Sequence, residues 1–560
     1  MEKIRFLIFI LISLSFIPFE SSIWTLKLNY ESLKDKKSWE KVGVSLPNYD
    51  PQQVAEKTKQ APIWAHFGIG NIFRIFLGGI ADKLLSEKHL DKGITCVETF
   101  DYDVVDKIYK PFDNLALAVT LYEDGKQDKK IIGSLTEAIK APQENERLKE
   151  IFRNPSLQLI TFTITEKGYV LRDSEGNYFN FVKSDIENGP GKSIGVIGIV
   201  TSMLLERYNA GKLPLALVSM DNVAQNGKKL RNSVIEIAQK WLEKGFISQD
   251  FFDYIQNEKI IAFPWSMIDK ITPRPSENVA KELEKLGIEN MDIVITNKKT
   301  YIAPFVNAES PQYLVIEDNF PNGRPPLEKG RGVYMADRNT VNLSETMKVT
   351  TCLNPIHTAL SIYDMMLGYT LFADGMHDPE LSKLAHQLGY VEGLPVVEDP
   401  KILSPKKFLD EVIYKRFPNP FLGDTAARIA VDTSQTIPIR LGETIKSHMH
   451  HYKNTDKLLA IPLAIAGWVR YLIGLDDNGK TFEISPDPML PELKKKLEGI
   501  EFGKPETVGD KLKPILSNKI IFAVDLYEVG LGEKIEGMIK EELAGIGAIR
   551  ATLKKYLNNI

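Results

Sequence analysis

The stretch APIWAHFGIGNIFRIFLGGIADKLL, residues 61–85, constrains the fold of this chain more than any other segment. It reads as an apolar strand, a glycine turn at Gly68-Ile69-Gly70, and helical spacing through Leu85. An apolar run passing through glycines into a helix is the opening of a βαβ unit, whose strand lies inside a parallel sheet. GITCVETFD (93–101) is a second short apolar run, and it ends in acids. LALAVTLY, LQLITFTITE, IGVIGIV and LPLALVSMD follow as further strand candidates, with helix-like stretches between them. The alternation predicts an α/β domain with a largely parallel sheet, continuing to about Asp337. After about Asn342 the texture changes. Segments 343–376, 379–390, 405–416, 425–431, 456–474, 490–497 and 533–557 have helical spacing and few β-branched runs. The chain is therefore expected to hold an α/β domain over 26–342 and a mainly helical domain over 343–560. No Gly/Ser linker separates them, so close packing is expected.

At 560 residues the chain is too long for one simple core, which agrees with two domains. Its net charge of -4, with 26% charged residues, offers no basic excess for nucleic acid and no acidic tail. The two cysteines, Cys96 and Cys352, are far apart and each sits in an apolar run. A disulfide framework or a cysteine-bound zinc is not expected, and a reducing compartment fits. The N-terminus, MEKIRFLIFILISLSFIPFESS, has a basic start and an apolar run from Phe6 to Phe19. That run is shorter than the ~20 residues that span a bilayer comfortably. A signal segment, a membrane anchor and an upstream extension are all compatible with residues 1–25.

The chemistry-bearing residues cluster at strand ends. Gly68-x-Gly70 between strand and helix lets backbone N–H groups approach a pyrophosphate at the helix N-terminus. Phe73 stands where a full dinucleotide fingerprint has its third glycine. Glu98 and Asp101 end the second strand, about where a carboxylate binds adenosine ribose hydroxyls and disfavours a 2′-phosphate, with a plain solvated turn as the other reading. Asp221-Asn222 in VSMDNVAQNG and Asp269-Lys270 in FPWSMIDKITP directly follow apolar runs, where α/β sheets bind ligands. Asx residues in turns also cap helices, so each pair has a structural reading as well.

HFGIGNIFR, TITEKGY (163–169), SMDNVAQNG, FPWSMIDKITP, VIEDNFPNGRPPLE, KVTTCLNPIH and SPDPML (485–490) carry a resemblance. In this order they are similar to the polyol-specific long-chain dehydrogenase/reductase family, which includes mannitol dehydrogenase and sugar-acid reductases. The resemblance covers nearly everything from about Leu26 onward. It implies a Rossmann-type N-terminal domain, a helical C-terminal domain and an active site between them. It also implies NAD(P)-dependent, metal-independent oxidation of a secondary alcohol, with NAD the expected cofactor and NADP not excluded. The wording is nearest the branch that interconverts D-fructuronate and D-mannonate, with a mannitol-type polyol dehydrogenase as the alternative. A non-catalytic sugar or nucleotide sensor on the same fold is a further alternative.

Carried over residue by residue, the resemblance implies Lys348, Asn354, His357 and Asn222 as the catalytic set, with Asp269 on a proton path. It assigns Gly68, Gly70, Asn71, Phe73, Arg74, Glu98, Asp101, Thr165 and Asp221 to the cofactor. A uronate carboxylate needs a cationic clamp. Arg324, Arg440, Lys446, His448, His450 and His451 are available, and Arg440, Lys446 and His451 are the expected substrate contacts. The histidines of KSHMHH read as a solvated turn or a carboxylate contact rather than a metal site. The expected partner is a small sugar acid or polyol, with a monomer or small homo-oligomer. A nicotinamide enzyme needs the cytoplasmic cofactor pool, so residues 1–25 are read as an extension, export being the alternative.

One departure from the family pattern sharpens the expectation. The family places its asparagine five residues and its histidine eight residues after the lysine; here the intervals are six and nine. At about 100° per residue, Lys348 and His357 would lie ~180° apart on a straight helix. Removing one residue from the count brings His357 to ~80° and Asn354 to ~140° from the lysine. Pro355 cannot donate to the Thr351 carbonyl and crowds it. A π-bulge or kink between Lys348 and Pro355 is therefore predicted.

Overall fold

The computed structural model describes residues 25–173 and 175–558. The signal-like reading of residues 1–25 falls almost wholly outside the described residues. Among these, no helix is long and apolar enough to cross a membrane.

Six strands form one sheet: β1 (Trp64–Phe67), β2 (Ile94–Glu98), β3 (Leu135–Lys140), β4 (Leu159–Phe162), β5 (Leu215–Ser219) and β6 (Ile261–Ala262). Their order is β3-β2-β1-β4-β5-β6, and every neighbouring pair is parallel. This is the doubly wound dinucleotide-binding order, in which direction of winding reverses between β1 and β4 and opens a crevice at the carboxyl ends. Successive residues of a strand feed opposite cores. Leu215 and Leu217 pack on one face, Ala216 and Val218 on the other. A sheet covered on both faces has no polar alternation, which is why these strands read as unbroken apolar runs.

Two strand candidates fold otherwise. LALAVTLY forms strand Ala116–Leu121, but in a separate four-stranded sheet with Gln127–Ile132, Phe305–Glu309 and Val44–Ser45. The Asp124-Gly125 turn, with Gly125 at φ +83°, folds it into a hairpin with Gln127–Ile132. IGVIGIV is not a strand, because Val196–Asn209 is a helix. Its residues are buried almost all round, so neither period shows. A third sheet pairs Ser266–Asp269, Tyr313–Glu317 and Val333–Ala336, and carries Asp269 at one strand end.

From Arg338 onward every element of the described chain is helical. Helix α1 (Arg338–Met347) is capped by Asp337, which accepts from Thr340 N at 3.0 Å. Helix α2 (Asn354–Leu367) ends at Gly368, φ +85°. It crosses α3 (Ala460–Tyr471) so closely that a Cβ on Gly467 would lie 2.5 Å from the Tyr363 ring. Buried Glu392 accepts from Leu459, Ala460 and Ile461 N–H and so satisfies the start of α3. The KSHMHH segment is the end of helix Glu443–Tyr452, not a turn.

Candidate active site

The expected distortion of the helix is present. Between α1 and α2, Lys348–Cys352 form a π-helical turn, with Leu353 N donating to Lys348 O at 3.1 Å across five residues. Leu353 then leaves helical geometry (φ −135°, ψ −64°), and Pro355 sits in the first turn of α2, where a missing N–H costs nothing. The wide turn absorbs the extra residue, and the proline starts a helix rather than breaking one.

Lys348 is 1% exposed and reaches the α/β domain, where its Nζ donates to Asn222 Oδ1 (2.5 Å) and Ile268 O (3.0 Å). Burial pushes the ammonium below the ordinary lysine range, against the opposing pull of Asp269 and Glu345. Asn222 lies just beyond β5 and Ile268 on the strand ending at Asp269, so the lysine stands at the carboxyl ends of strands. Buried Asn226 builds this corner. Its Nδ2 donates to Ser219 O, Asp221 O and Ser266 Oγ, and its Oδ1 accepts from Gly227 and Ser266 N–H. Asp221 acts as a second tie, accepting from Ile164 N, Thr165 N and Tyr169 Oη. Both Asp221 and Thr165 (φ +62°) thus shape the crevice wall beyond β4 and β5.

Among the described residues, Asn354 Oδ1 and His357 Nε2 are buried with no hydrogen-bond partner. The His357 ring stacks on Phe417 and meets Phe372 edge-on, with Asp424 Oδ2 3.7 Å from Nε2. Burial, then the charges of Arg428, Arg440 and Arg416, push its pKa well below the usual range, so it is neutral. Asp269 is gripped by Arg416 through bonds of 2.6 and 3.0 Å. Burial would raise the Asp269 carboxyl, but the guanidinium outweighs it and holds the group below the usual carboxylate range.

At the glycine turn, Gly68 has φ +89°, and a Cβ there would lie 2.1 Å from Thr163 O. Among the described residues, nothing lies within 4 Å of such an atom at Gly70, and Asn71 Oδ1 is buried without a partner. Room above the turn and an orphan acceptor beside it suit the backbone approach of a pyrophosphate and ribose. Glu98 Oε1 accepts from the N–H groups of Thr99, Phe100 and Asp101, while Oε2 lies 3.5 Å from Ile69 N in the turn.

Three cofactor assignments face inward instead. Phe73 stacks flat on buried His66 at 3.9 Å. Arg74 spends its guanidinium on Ala303 O and Pro304 O. Asp101 accepts from Thr296 Oγ1 at 2.6 Å. Their work is to support the turn: His66 bonds Thr161, Thr163 and Gly68 O, and burial lowers its pKa to about 3.

The cationic candidates separate by partner. Arg324 pairs with Asp318 and Glu328, and His448 Nε2 bonds Glu392 O. Lys446 is exposed and paired with Glu443. It lies with His451 on an open groove of about 550 Å³ beside Thr346 and Thr350. Arg440 is different: it donates to Thr358 Oγ1 on α2 at 2.6 Å and pairs with no carboxylate among the described residues. Burial lowers its pKa to about 10, so it stays charged at neutral pH.

A dinucleotide crevice with a buried lysine at its strand ends defines a two-domain Rossmann-type oxidoreductase. The mannitol dehydrogenase Rossmann domain model matches residues 63–329, and the mannitol dehydrogenase C-terminal domain model matches residues 341–541. A D-mannonate oxidoreductase of Thermotoga maritima is 53% identical over 538 residues, 95% of this chain and 99% of that protein. A mannitol dehydrogenase of Saccharomyces cerevisiae is 31% identical over 474 residues, 83% of this chain and 86% of the other. The chain belongs to the mannitol dehydrogenase family. Among solved structures, a substrate-free D-sorbitol dehydrogenase superposes with TM-score 0.73 at 26% identity, covering 90% of this chain and 97% of its own. A Pseudomonas fluorescens mannitol 2-dehydrogenase, in ternary complex with NAD and D-mannitol, shares the fold with TM-score 0.69 at 24% identity, covering 96% and 100%.

Proposed function

We propose that this chain is an NAD-dependent oxidoreductase that interconverts D-fructuronate and D-mannonate. When bound, NAD supplies a hydride acceptor at its nicotinamide ring. The chain's own part is proton transfer and charge placement. In the oxidative direction neutral Lys348 takes the hydroxyl proton; in the reductive direction its ammonium returns it. Asn222 uses its oxygen on Lys348, which leaves its NH2 group for the substrate oxygen as negative charge grows there. The unpartnered Asn354 and neutral His357 supply further polar contacts on the same helix. We place the reaction in the cytoplasm, beside the soluble nicotinamide pool.

One observation favours an acid over a neutral sugar: Arg440 is a half-buried cation without an acidic partner among the described residues. A uronate carboxylate would complete it, whereas fructose or mannitol would leave it unpaired. Support for the particular acid comes from the 53% identity to a D-mannonate oxidoreductase across nearly the whole chain. The test is NADH consumption with D-fructuronate against D-fructose. Arg440→Gln should lower kcat/KM for fructuronate by about 30- to 150-fold, the value of a charge-assisted hydrogen bond of ~2–3 kcal/mol. Fructose reduction should change little. Wild-type protein that reduces fructose better than fructuronate would replace this reading with a mannitol-type dehydrogenase.

A further inference from the structure

Arg416 was not legible as a functional residue, yet it is buried between two carboxylates. Its side chain is 1% exposed, and it faces Asp269 at 10% and Glu309 at 0%. Nη1 and Nη2 fork onto Asp269 at 2.6 and 3.0 Å, while Nε and Nη2 fork onto Glu309 at 3.0 and 2.8 Å. The arginine comes from the helical domain, and both carboxylates come from strands of the α/β domain. Glu309 also grips the chain just after Asp269: its Oε1 accepts from Ile271 N at 2.5 Å, and its carbonyl accepts from Lys270 Nζ at 2.7 Å. The segment held this way is continuous with Ile268, whose carbonyl accepts from Lys348.

We propose that Arg416 is a positioning residue: by clamping the Asp269 end of its strand across the domain boundary, it sets the place and charge environment in which Lys348 transfers its proton. A purely stabilising role accounts poorly for this arrangement. Buried ion pairs often contribute no more to stability than apolar side chains of the same volume, whereas bidentate guanidinium–carboxylate geometry fixes orientation tightly. The clamp holds the Ile268 carbonyl at the lysine and keeps Asp269 ionised beside it. The charged groups acting on Lys348 are Asp269 from the strand end, Glu345 from its own helix and Arg416 itself. Lys270 acts on Asp269 from the same strand end, and Lys229 acts on Glu345.

This inference rests on the reading of Lys348 as the acid/base, and the test separates the two. The pH dependence of D-mannonate oxidation is measured for wild type, Arg416→Lys and Arg416→Gln, together with NAD affinity by fluorescence titration. At alkaline pH Asp269 stays ionised, so removing the Arg416 charge leaves the Lys348 proton more tightly held. The rising limb of the Arg416→Gln profile should move up by half a pH unit or more, with kcat at least 10-fold lower and NAD affinity within 2-fold of wild type. Arg416→Lys keeps the charge but loses the fork. It should hold the wild-type midpoint while kcat falls. If Arg416→Gln does not fold, Arg416→Gln/Glu309→Gln removes the stranded Glu309 charge with the arginine, and the same shift is expected. An unshifted midpoint with unchanged kcat in a folded variant overturns the proposal. Wild-type protein inactive on D-mannonate instead overturns the functional reading.

Discussion

Lys348→Ala is expected to cut turnover in both directions by about 10²–10⁴-fold, the usual contribution of a positioned general acid or base. NAD affinity should stay within a few-fold, because the lysine contacts Asn222 and Ile268 rather than the glycine turn. The pH dependence of the wild-type enzyme carries the same prediction. Oxidation needs the neutral amine, so its rate rises with pH through the Lys348 pKa; reduction needs the ammonium, so its rate falls over the same range. Burial places that midpoint below the ordinary lysine value. Stopped-flow rates across pH, in both directions, check it. Limbs that rise and fall together would point to another group.

Gly68→Ala is the second change expected to have a large effect. Its φ of +89° costs a side-chain-bearing residue about 1–2 kcal/mol. The new Cβ would also fall 2.1 Å from the Thr163 carbonyl, a backbone atom that cannot rotate away. Together these amount to roughly 3 kcal/mol, which the turn can relieve only by moving off its present path. If that movement is charged to cofactor binding, NAD affinity falls by about 100-fold. Gly70→Ala separates strain from occupancy. Nothing lies within 4 Å of its Cβ, so urea stability should hold while the methyl group intrudes where the pyrophosphate approaches. Unchanged NAD affinity in Gly68→Ala would show that the turn does not carry the cofactor.

The parts of the fold that were legible in the sequence are those with a local cause. Strands β1, β2, β4 and β5 of the main sheet are legible because each is an apolar run closed by a turn; β3, LTEAIK, mixes polar and apolar residues, and β6 is only two residues long. The π turn at Lys348–Cys352 followed from counting residues between side chains that must share a face, with a proline marking where the helix restarts. IGVIGIV reads as a strand because, from Ile197 on, the helix is buried on nearly every side and shows no period, and KSHMHH reads as a turn because histidine-rich polar stretches suit a turn as well as a helix end. Within the site, motif residues and real contacts diverged where burial decides. Arg74 and Asp101 look available on paper, yet each is consumed by a partner about 200 residues away in sequence. Arg416 ends a helical turn, Asn226 opens a helix, Glu309 ends a strand and His66 lies within β1. Their importance comes from long-range pairing that no single-sequence period records.

The most direct test of the central claim is chemical rescue. Single-turnover oxidation of D-mannonate by NAD-loaded Lys348→Ala is measured with and without a small primary amine. The amine is expected to restore much of the lost rate, with a pH dependence that follows its own pKa. A variant that binds NAD normally but gains nothing from any amine, or that turns over like wild type without one, would contradict the claim.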